Sequence, residues 1–175
     1  ELRADSRYNI DTDVITSHFA IGVDVLTVII ESVPEGCTDY DVMHTIDRFE
    51  WHMANVPGVQ SVFGIGTMAK VVNAGWNEGA LKWRALPRNQ STMSQSVTYI
   101  DTSTGLLNSD CSVMPVYIYT KDHKAETIDG IVAAVKGFAQ ENAWDKVRFR
   151  LASGNVGVMA ATNEAVSAAQ FPMLV

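Results

Sequence analysis

The sequence is short of several residue types, and each shortage excludes a class of protein. Its 175 residues include only two cysteines, which are too few for a disulfide-rich scaffold or for a structural metal site built from thiolates. Acidic residues outnumber basic ones by 20 to 13, so the net charge of -7 gives the chain as a whole no electrostatic reason to approach phosphate backbones or anionic lipids. Nucleic acid is therefore not expected as a partner.

Long apolar runs are missing as well. No stretch reaches the roughly 18 consecutive apolar residues that a membrane-spanning helix needs. The chain begins with Glu1 instead of Met, and its start lacks the charged, apolar and cleavage segments of a signal peptide. We interpret the chain as a piece of a longer protein. We expect a membrane helix to begin just beyond Val175, toward which the sequence becomes more apolar.

What the sequence does contain is a strand-helix-strand pattern that occurs twice. Strands at 25–31 and 59–65 flank a helix at 41–55 in the first copy, and strands at 116–120 and 147–151 flank a helix at 125–141 in the second. A lone unit cannot bury its apolar side, but two units can share one four-stranded antiparallel sheet with both helices on one face. The predicted fold class is α+β, as a split βαβ or ferredoxin-like sandwich with an excursion inserted between its halves.

The predicted organisation is one domain over 1–175, because the length suits a single well-buried core. Its parts in chain order are a connector at 1–22, the first βαβ unit at 23–76, the excursion at 77–112, the second βαβ unit at 113–155 and a final helix at 156–175. Residues 67–76 are expected to form a short helix. Thr38 and Asp122 are the predicted N-caps of the two long helices.

The two cysteines are predicted to lie close together. Cys37 follows the first strand and Cys111 precedes the third. In a ferredoxin-like sheet these strands are antiparallel neighbours at the centre, so the end of one lies beside the start of the other. An oxidising compartment would favour a disulfide. The alternative is a pair of free, half-buried thiols.

The excursion is too long to be an idle loop and is rich in large apolar residues. We expect it to pack as a satellite structure against the sheet or against a partner. Its candidates for a substrate path or an interface are Trp76, Trp83, Leu86, Met93 and Tyr99. The alternative is a well-packed excursion that binds nothing, because single apolar residues are common on protein surfaces.

The spacing of Gly64, Gly66 and Ala69 after a predicted strand is typical of a dinucleotide-binding turn. Two observations weigh against that interpretation. No parallel strand follows at the expected distance, and no acidic ribose ligand lies about 20 residues further on. A glycine-bearing exit from the strand is the simpler explanation. No catalytic residue, cofactor or metal ligand is predicted elsewhere, since the histidines lack spaced partners and no triad is recognisable.

Several short motifs together resemble bacterial exporters of the resistance-nodulation-division (RND) superfamily. They are ELRADSRYN at 1–9, NEG at 77–79, KW at 82–83, LPRNQ at 86–90, NSDCS at 108–112, KDHK at 121–124, ASGNVG at 152–157 and AATN at 160–163. More narrowly, they resemble the large extracytoplasmic loop in the second half of a transporter of the mycobacterial-membrane-protein-large (MMPL) type. The resemblance extends over essentially the whole chain.

The resemblance implies a non-enzymatic porter domain in the periplasm, inserted between two transmembrane helices of a proton-driven inner-membrane exporter. Members of the family move hydrophobic or amphiphilic molecules, including lipids and drugs, and some act as homo-oligomers. The expected partners are such a substrate and the remaining parts of the same transporter. An oxidising periplasm strengthens the expectation of a disulfide between Cys37 and Cys111. The alternative function is a free-standing ligand-binding or sensor module on a ferredoxin-like fold.

Overall fold

The computed structural model describes residues 3, 5–18 and 24–152, together with the helical pairs 157–158, 161–162 and 165–166. Within these ranges the helices are α1 (Arg7–His18), α2 (Tyr40–Ala54), α3 (Ile65–Trp76), α4 (Gln90–Thr98) and α5 (Ala125–Asn142). The strands are β1 (Val25–Ser32), β2 (Val59–Phe63), β3 (Val113–Thr120) and β4 (Val147–Ala152). Short 3₁₀ helices occupy Gly36–Thr38, Leu81–Trp83 and Thr102–Thr104.

The strands form one antiparallel sheet in the order β2-β3-β1-β4. The central strand β1 pairs with β3 on one side and β4 on the other, so that Val28 faces Val116 and Leu151. Strand β2 pairs with β3 at the sheet edge. The α+β class and the four-stranded antiparallel sheet predicted from the sequence are confirmed.

The core lies between one face of this sheet and the two long helices. Alternate residues of β1 are buried, namely Leu26, Val28 and Ile30, as the period of two in a strand requires. Phe49 of α2 and Phe138 of α5 both pack on Phe149 of β4, with ring centroids 5.1 and 5.5 Å away. Both helices therefore cover the same face of the sheet.

Both predicted helix caps are wrong. Thr38 belongs to a short 3₁₀ helix, where its hydroxyl donates to the Glu35 carbonyl, so it cannot cap α2. Asp39 is the cap instead, and its carboxylate accepts from the backbone N–H groups of Asp41 and Val42 at 2.9 and 3.3 Å. At α5 the cap position belongs to Lys124, two residues later than the sequence predicted.

Some element boundaries also differ from those predicted. Strand β3 begins at Val113, three residues earlier than expected, because its pairing with β1 extends to Glu31. Strand β2 ends at Phe63, and α3 begins immediately at Ile65. The predicted final helix at 156–175 and the end of the connector lie largely outside the described residues. No helix in the described ranges is long and apolar enough to cross a membrane.

The predicted proximity of the two cysteines is confirmed by a disulfide. Cys37 and Cys111 are bonded, with their Cα atoms 5.5 Å apart and a sequence separation of 74. Backbone bonds hold the same two loops together: the N–H of Ser32 donates to the Ser112 carbonyl, and that of Glu35 donates to the Asp110 carbonyl. The alternative of two free thiols does not apply, since both sulfurs are in the bond.

Candidate functional site

The excursion between the two βαβ units contains a helix that the sequence pattern did not reveal. Helix α4 begins after Asn89, whose side chain accepts from the N–H of Thr92 at 3.2 Å. Its sequence is mostly polar, so its apolar spacing gives little signal. Met93 and Val97 are nevertheless buried and join the main core. The excursion is therefore a packed layer beside α3.

The outer side of this layer exposes large apolar side chains. Trp76 is 64% exposed, Leu81 80%, Trp83 45% and Tyr99 70%. The rings of Trp76 and Tyr99 contact each other, with centroids 5.7 Å apart. We call these four residues the aromatic surface. A group of exposed large apolar side chains of this kind is typical of an interaction site.

Asn73, which is buried in α3, brings the two halves of the aromatic surface together. Its side-chain amide donates to the carbonyls of Trp83 and Ala85 at 2.8 and 3.0 Å. Asn73 lies three positions before Trp76, and residues at that spacing are neighbours on a helix surface. The Leu81–Trp83 helix is thus fixed beside Trp76.

Of the five residues predicted as substrate-path or interface candidates, three lie in the aromatic surface: Trp76, Trp83 and Tyr99. Leu86 is half-buried against the core, and Met93 is fully buried in it. These two side chains can support the surface only from beneath. Leu81 was not among the candidates, because a single leucine carries no distinctive signal in the sequence.

Glu50 anchors the start of the helix that carries Trp76. This residue of α2 is 3% exposed, and its Oε1 accepts from the Gly66 N–H at 2.9 Å. Its Oε2 accepts from the N–H and the hydroxyl of Thr67 at 2.7 and 2.6 Å. The carboxylate satisfies unpaired amides at the positive end of α3. Burial nevertheless raises the pKa of Glu50, because it outweighs the hydrogen bonds that favour the charged form.

The glycines of the apparent dinucleotide turn are explained by this carboxylate. A Cβ on Gly64 would lie 2.5 Å from Oε1 of Glu50, and one on Gly66 would lie 3.0 Å from it. The amides that a phosphate would need are already bound by Glu50. The sequence signal for this contact is Glu50 itself, an acidic residue next to buried positions of the amphipathic helix α2.

A second contact between α2 and α3 is the ion pair of Asp47 with Lys70. Asp47 lies one turn before Glu50 on α2, and Lys70 lies one turn beyond Gly66 on α3. Both side chains are about three-quarters shielded from solvent. Helix α3, and with it Trp76, is therefore held to the βαβ core by two polar contacts in addition to apolar packing.

An open groove with a volume of about 730 Å³ lies between α2 and α5. Its lining includes Trp51, Gly130, Ala134 and Gly137. Trp51 is 70% exposed. Among the described residues, its ring makes no ring–ring contact with a residue of the aromatic surface. It therefore provides a matched exposed tryptophan at a different place.

The aromatic surface offers contact area and not chemistry. Its four side chains supply apolar and aromatic groups, with one phenol and two indole N–H groups as hydrogen-bond donors, and no thiol, imidazole or carboxylate. Such a surface can bind an apolar or amphiphilic molecule or a partner protein.

No model of a known protein family matches the sequence, and no curated protein matches it. The functional conclusion therefore depends on the sequence motifs and on the geometry described above.

Proposed function

We propose that this chain is the periplasmic porter domain of a proton-driven RND-type exporter of the MMPL kind. In this proposal the domain is non-enzymatic and forms part of the path of a hydrophobic or amphiphilic substrate. The remaining transmembrane and porter parts of the same transporter are its partners, and the intact protein can be a homo-oligomer. The observation that carries the proposal is the aromatic surface formed by the end of α3 and the excursion, which provides exposed apolar contact area.

The topology supports the finer fold assignment that the proposal needs. The first strands of the two βαβ units, β1 and β3, are antiparallel neighbours at the centre of the sheet. Each unit is split, because a strand of the other unit lies between its own two strands. This is the order expected of the ferredoxin-like fold, and the RND resemblance implies that fold for a porter domain.

The disulfide is a second support. Disulfides persist in the periplasm and are rare in the bacterial cytoplasm. The bond between Cys37 and Cys111 closes the excursion at its far end, next to β3. A porter domain that must hold an exposed surface beside a moving transporter would gain from such a covalent closure.

The test is made on the complete gene. Its reading frame should encode several long apolar segments on both sides of this chain. A phosphatase fused within the 77–112 excursion should be active, because that enzyme folds only outside the cytoplasm, and cells that express the gene should export a lipophilic dye faster. A frame without apolar segments would favour the alternative, a free-standing sensor module, and an inactive phosphatase would contradict a periplasmic location.

A further inference from the structure

Strand β4 forms one edge of the sheet, where within the described residues it pairs with β1 alone. Its first residue, Val147, exchanges both of its backbone hydrogen bonds with Trp144, in the turn before the strand. On the β1 side, Ser32 is opposite Val147 but donates its N–H to the Ser112 carbonyl. The backbone groups of Val147 therefore face away from β1.

The next two outward positions of β4 have no such partner. Backbone direction alternates from residue to residue in an antiparallel pair. Arg148 and Arg150 therefore bond to β1, whereas Phe149 and Leu151 face outward like Val147. Among the described residues, no backbone hydrogen bond reaches Phe149 or Leu151 from outside the sheet. Their N–H and C=O groups form an open edge, which is a template for another strand.

The side chains along this open edge differ between its two faces. Phe149 lies on the helix side, where it packs on Phe49 and Phe138. Leu151 lies on the same face but is 39% exposed, so an added strand would cover it. Arg148 and Arg150 lie on the other face and are exposed. The edge therefore fits a strand in which apolar and polar residues alternate.

Charge selects the polar residues of such a strand. The four strands of the sheet contain three charged residues, Glu31, Arg148 and Arg150. Nε of Arg150 pairs with Oε2 of Glu31 at 2.7 Å, whereas Arg148 makes no ion pair within the described residues. The nearest acidic residue in sequence, Asp145, lies in the turn before the strand. An acidic side chain opposite Arg148 would supply the missing partner.

We propose that the open edge of β4 binds an extended segment of a partner polypeptide as an added antiparallel strand, with apolar residues opposite Phe149 and Leu151 and an acidic residue opposite Arg148. The proposal does not depend on the porter function, because it needs only this edge. A second copy of the chain fits less well. The antiparallel register that uses both outward positions of each copy places Arg150 opposite Arg150 of the other copy, and like charges directly opposite are destabilising.

The experiment is titration of the 175-residue chain with the end-blocked peptide TVTVEVE, followed by NMR. In antiparallel register its last two valines lie opposite Phe149 and Leu151, and its glutamates lie opposite Arg148 and Arg150. We expect saturable binding that slows hydrogen exchange at the amides of Phe149 and Leu151. The amides of Arg148 and Arg150 already bond to β1, so their exchange should stay slow throughout.

Two altered peptides separate main-chain pairing from charge. N-methylation of the last two valines removes the N–H groups that would donate to β4, so this peptide should not bind. TVTVKVK keeps the apolar residues but reverses both charges, and it should bind at least fivefold more weakly.

Variants of the chain locate the site. R148Q should weaken binding of TVTVEVE about threefold, whereas K121Q, which neutralises an exposed basic residue elsewhere, should leave it unchanged. L151P removes an outward N–H and should weaken binding at least fivefold. Proline is tolerated on an edge strand where the N–H faces outward, so this variant should remain folded.

Circular dichroism shows whether each variant is folded, and only folded variants are compared. The proposal would be overturned if TVTVEVE left the exchange of Phe149 and Leu151 unchanged, if the N-methylated peptide bound equally well, or if R148Q and K121Q had equal effects. Slower exchange of the same two amides at high chain concentration without peptide would also overturn it, because a second copy would then be the occupant.

Discussion

The βαβ core and the excursion use aromatic residues in opposite ways. In the core, Phe49, Phe138 and Phe149 pack on one another beneath the helices, where they contribute to stability. On the outer surface, Trp76 at the end of α3 and Tyr99 of the excursion contact each other, where burial contributes little. The difference separates side chains that stabilise the fold from exposed side chains that contribute little to it, although the excursion also supplies core residues such as Met93 and Val97.

The two regions are nevertheless joined at defined points. The disulfide ties the far end of the excursion to the loop after β1. At the other end, Glu50 and Asp47 of α2 hold helix α3, from which the excursion departs. Substitutions at these junctions should therefore disturb the exposed surface through the core, and substitutions within the surface should leave the core intact.

The largest effect is expected from the disulfide. Removing both sulfurs in C37S/C111S should lower the free energy of unfolding by about 4 kcal/mol, because the bond closes a loop of 74 residues in the unfolded chain. Urea unfolding measures the change, and the unaltered chain under reducing conditions serves as the control. A loss below about 1 kcal/mol would mean that the bond does little to join the two regions.

Loss of the Glu50 side chain should have the next largest effect. Glu50→Ala should lower the free energy of unfolding by about 3 kcal/mol, since it leaves the buried N–H of Gly66 and the groups of Thr67 without their acceptor. Glu50→Gln should cost about 1 to 2 kcal/mol, because its one oxygen can still accept from Thr67 while its amide nitrogen leaves the N–H of Gly66 without an acceptor. Equal losses in the two variants would contradict the anchoring role.

Glu50 also gives the stability a characteristic dependence on pH. The pKa of this group is raised in the folded state by burial, so the folded chain holds the proton more tightly than the unfolded chain. Its contribution to stability is complete below the unfolded pKa of about 4.3 and is lost as the pH rises through the folded pKa. Unfolding measured across that range should show this fall in the unaltered chain, and the fall should be absent in Glu50→Gln.

Periodic patterns made the core of this fold predictable. The alternation in β1 and the apolar stripe of α2 each have a regular spacing, and the resulting sheet also placed the two cysteines together. Helix α4 and the contact of Glu50 with α3 have no such spacing. They depend on which surfaces meet after folding, so they could not be derived from the order of the residues. Exposure also depends on how the surfaces meet. The large aromatic side chains of Trp76, Trp83 and Tyr99 could be recognised as candidates from their size and polarity, but Leu81 could not.

A smaller effect is expected at Asp39, which caps α2 and pairs with Lys146 at 2.7 Å. Asp39→Ala should lower the free energy of unfolding by about 1 kcal/mol through loss of the cap. The hydrogen bond from Lys146 lowers the pKa of Asp39 in the folded state. Its contribution is therefore present above the unfolded pKa and is lost as the pH falls through the folded value, the reverse of the Glu50 dependence.

Asp39→Asn separates the two roles of this residue. The amide oxygen can still cap the helix, but the charge that attracts Lys146 is gone. Unfolding at a series of pH values should show near-normal stability in acid and a loss at neutral pH. A variant as stable as the unaltered chain at every pH would indicate that the ion pair contributes nothing.

The smallest effect is a gain in stability at Gly75. This glycine lies near the end of α3, and a Cβ there would meet no atom within 4 Å. Gly75→Ala should therefore raise the free energy of unfolding by about 0.5 to 1 kcal/mol. Gly64→Ala is the matched comparison and should destabilise, because its Cβ would collide with Glu50. A gain in both variants would rule out the close approach of that carboxylate.

The central claim is that the aromatic surface carries the function and the core only supports it. The most direct measurement, under the proposed export function, is dye export by cells that express the complete gene with W76A/Y99A in this chain, compared with W51A. We predict at least tenfold slower export for W76A/Y99A at an unchanged amount of protein, and normal export for W51A. Normal export in W76A/Y99A, or an equal loss in W51A, would contradict the claim.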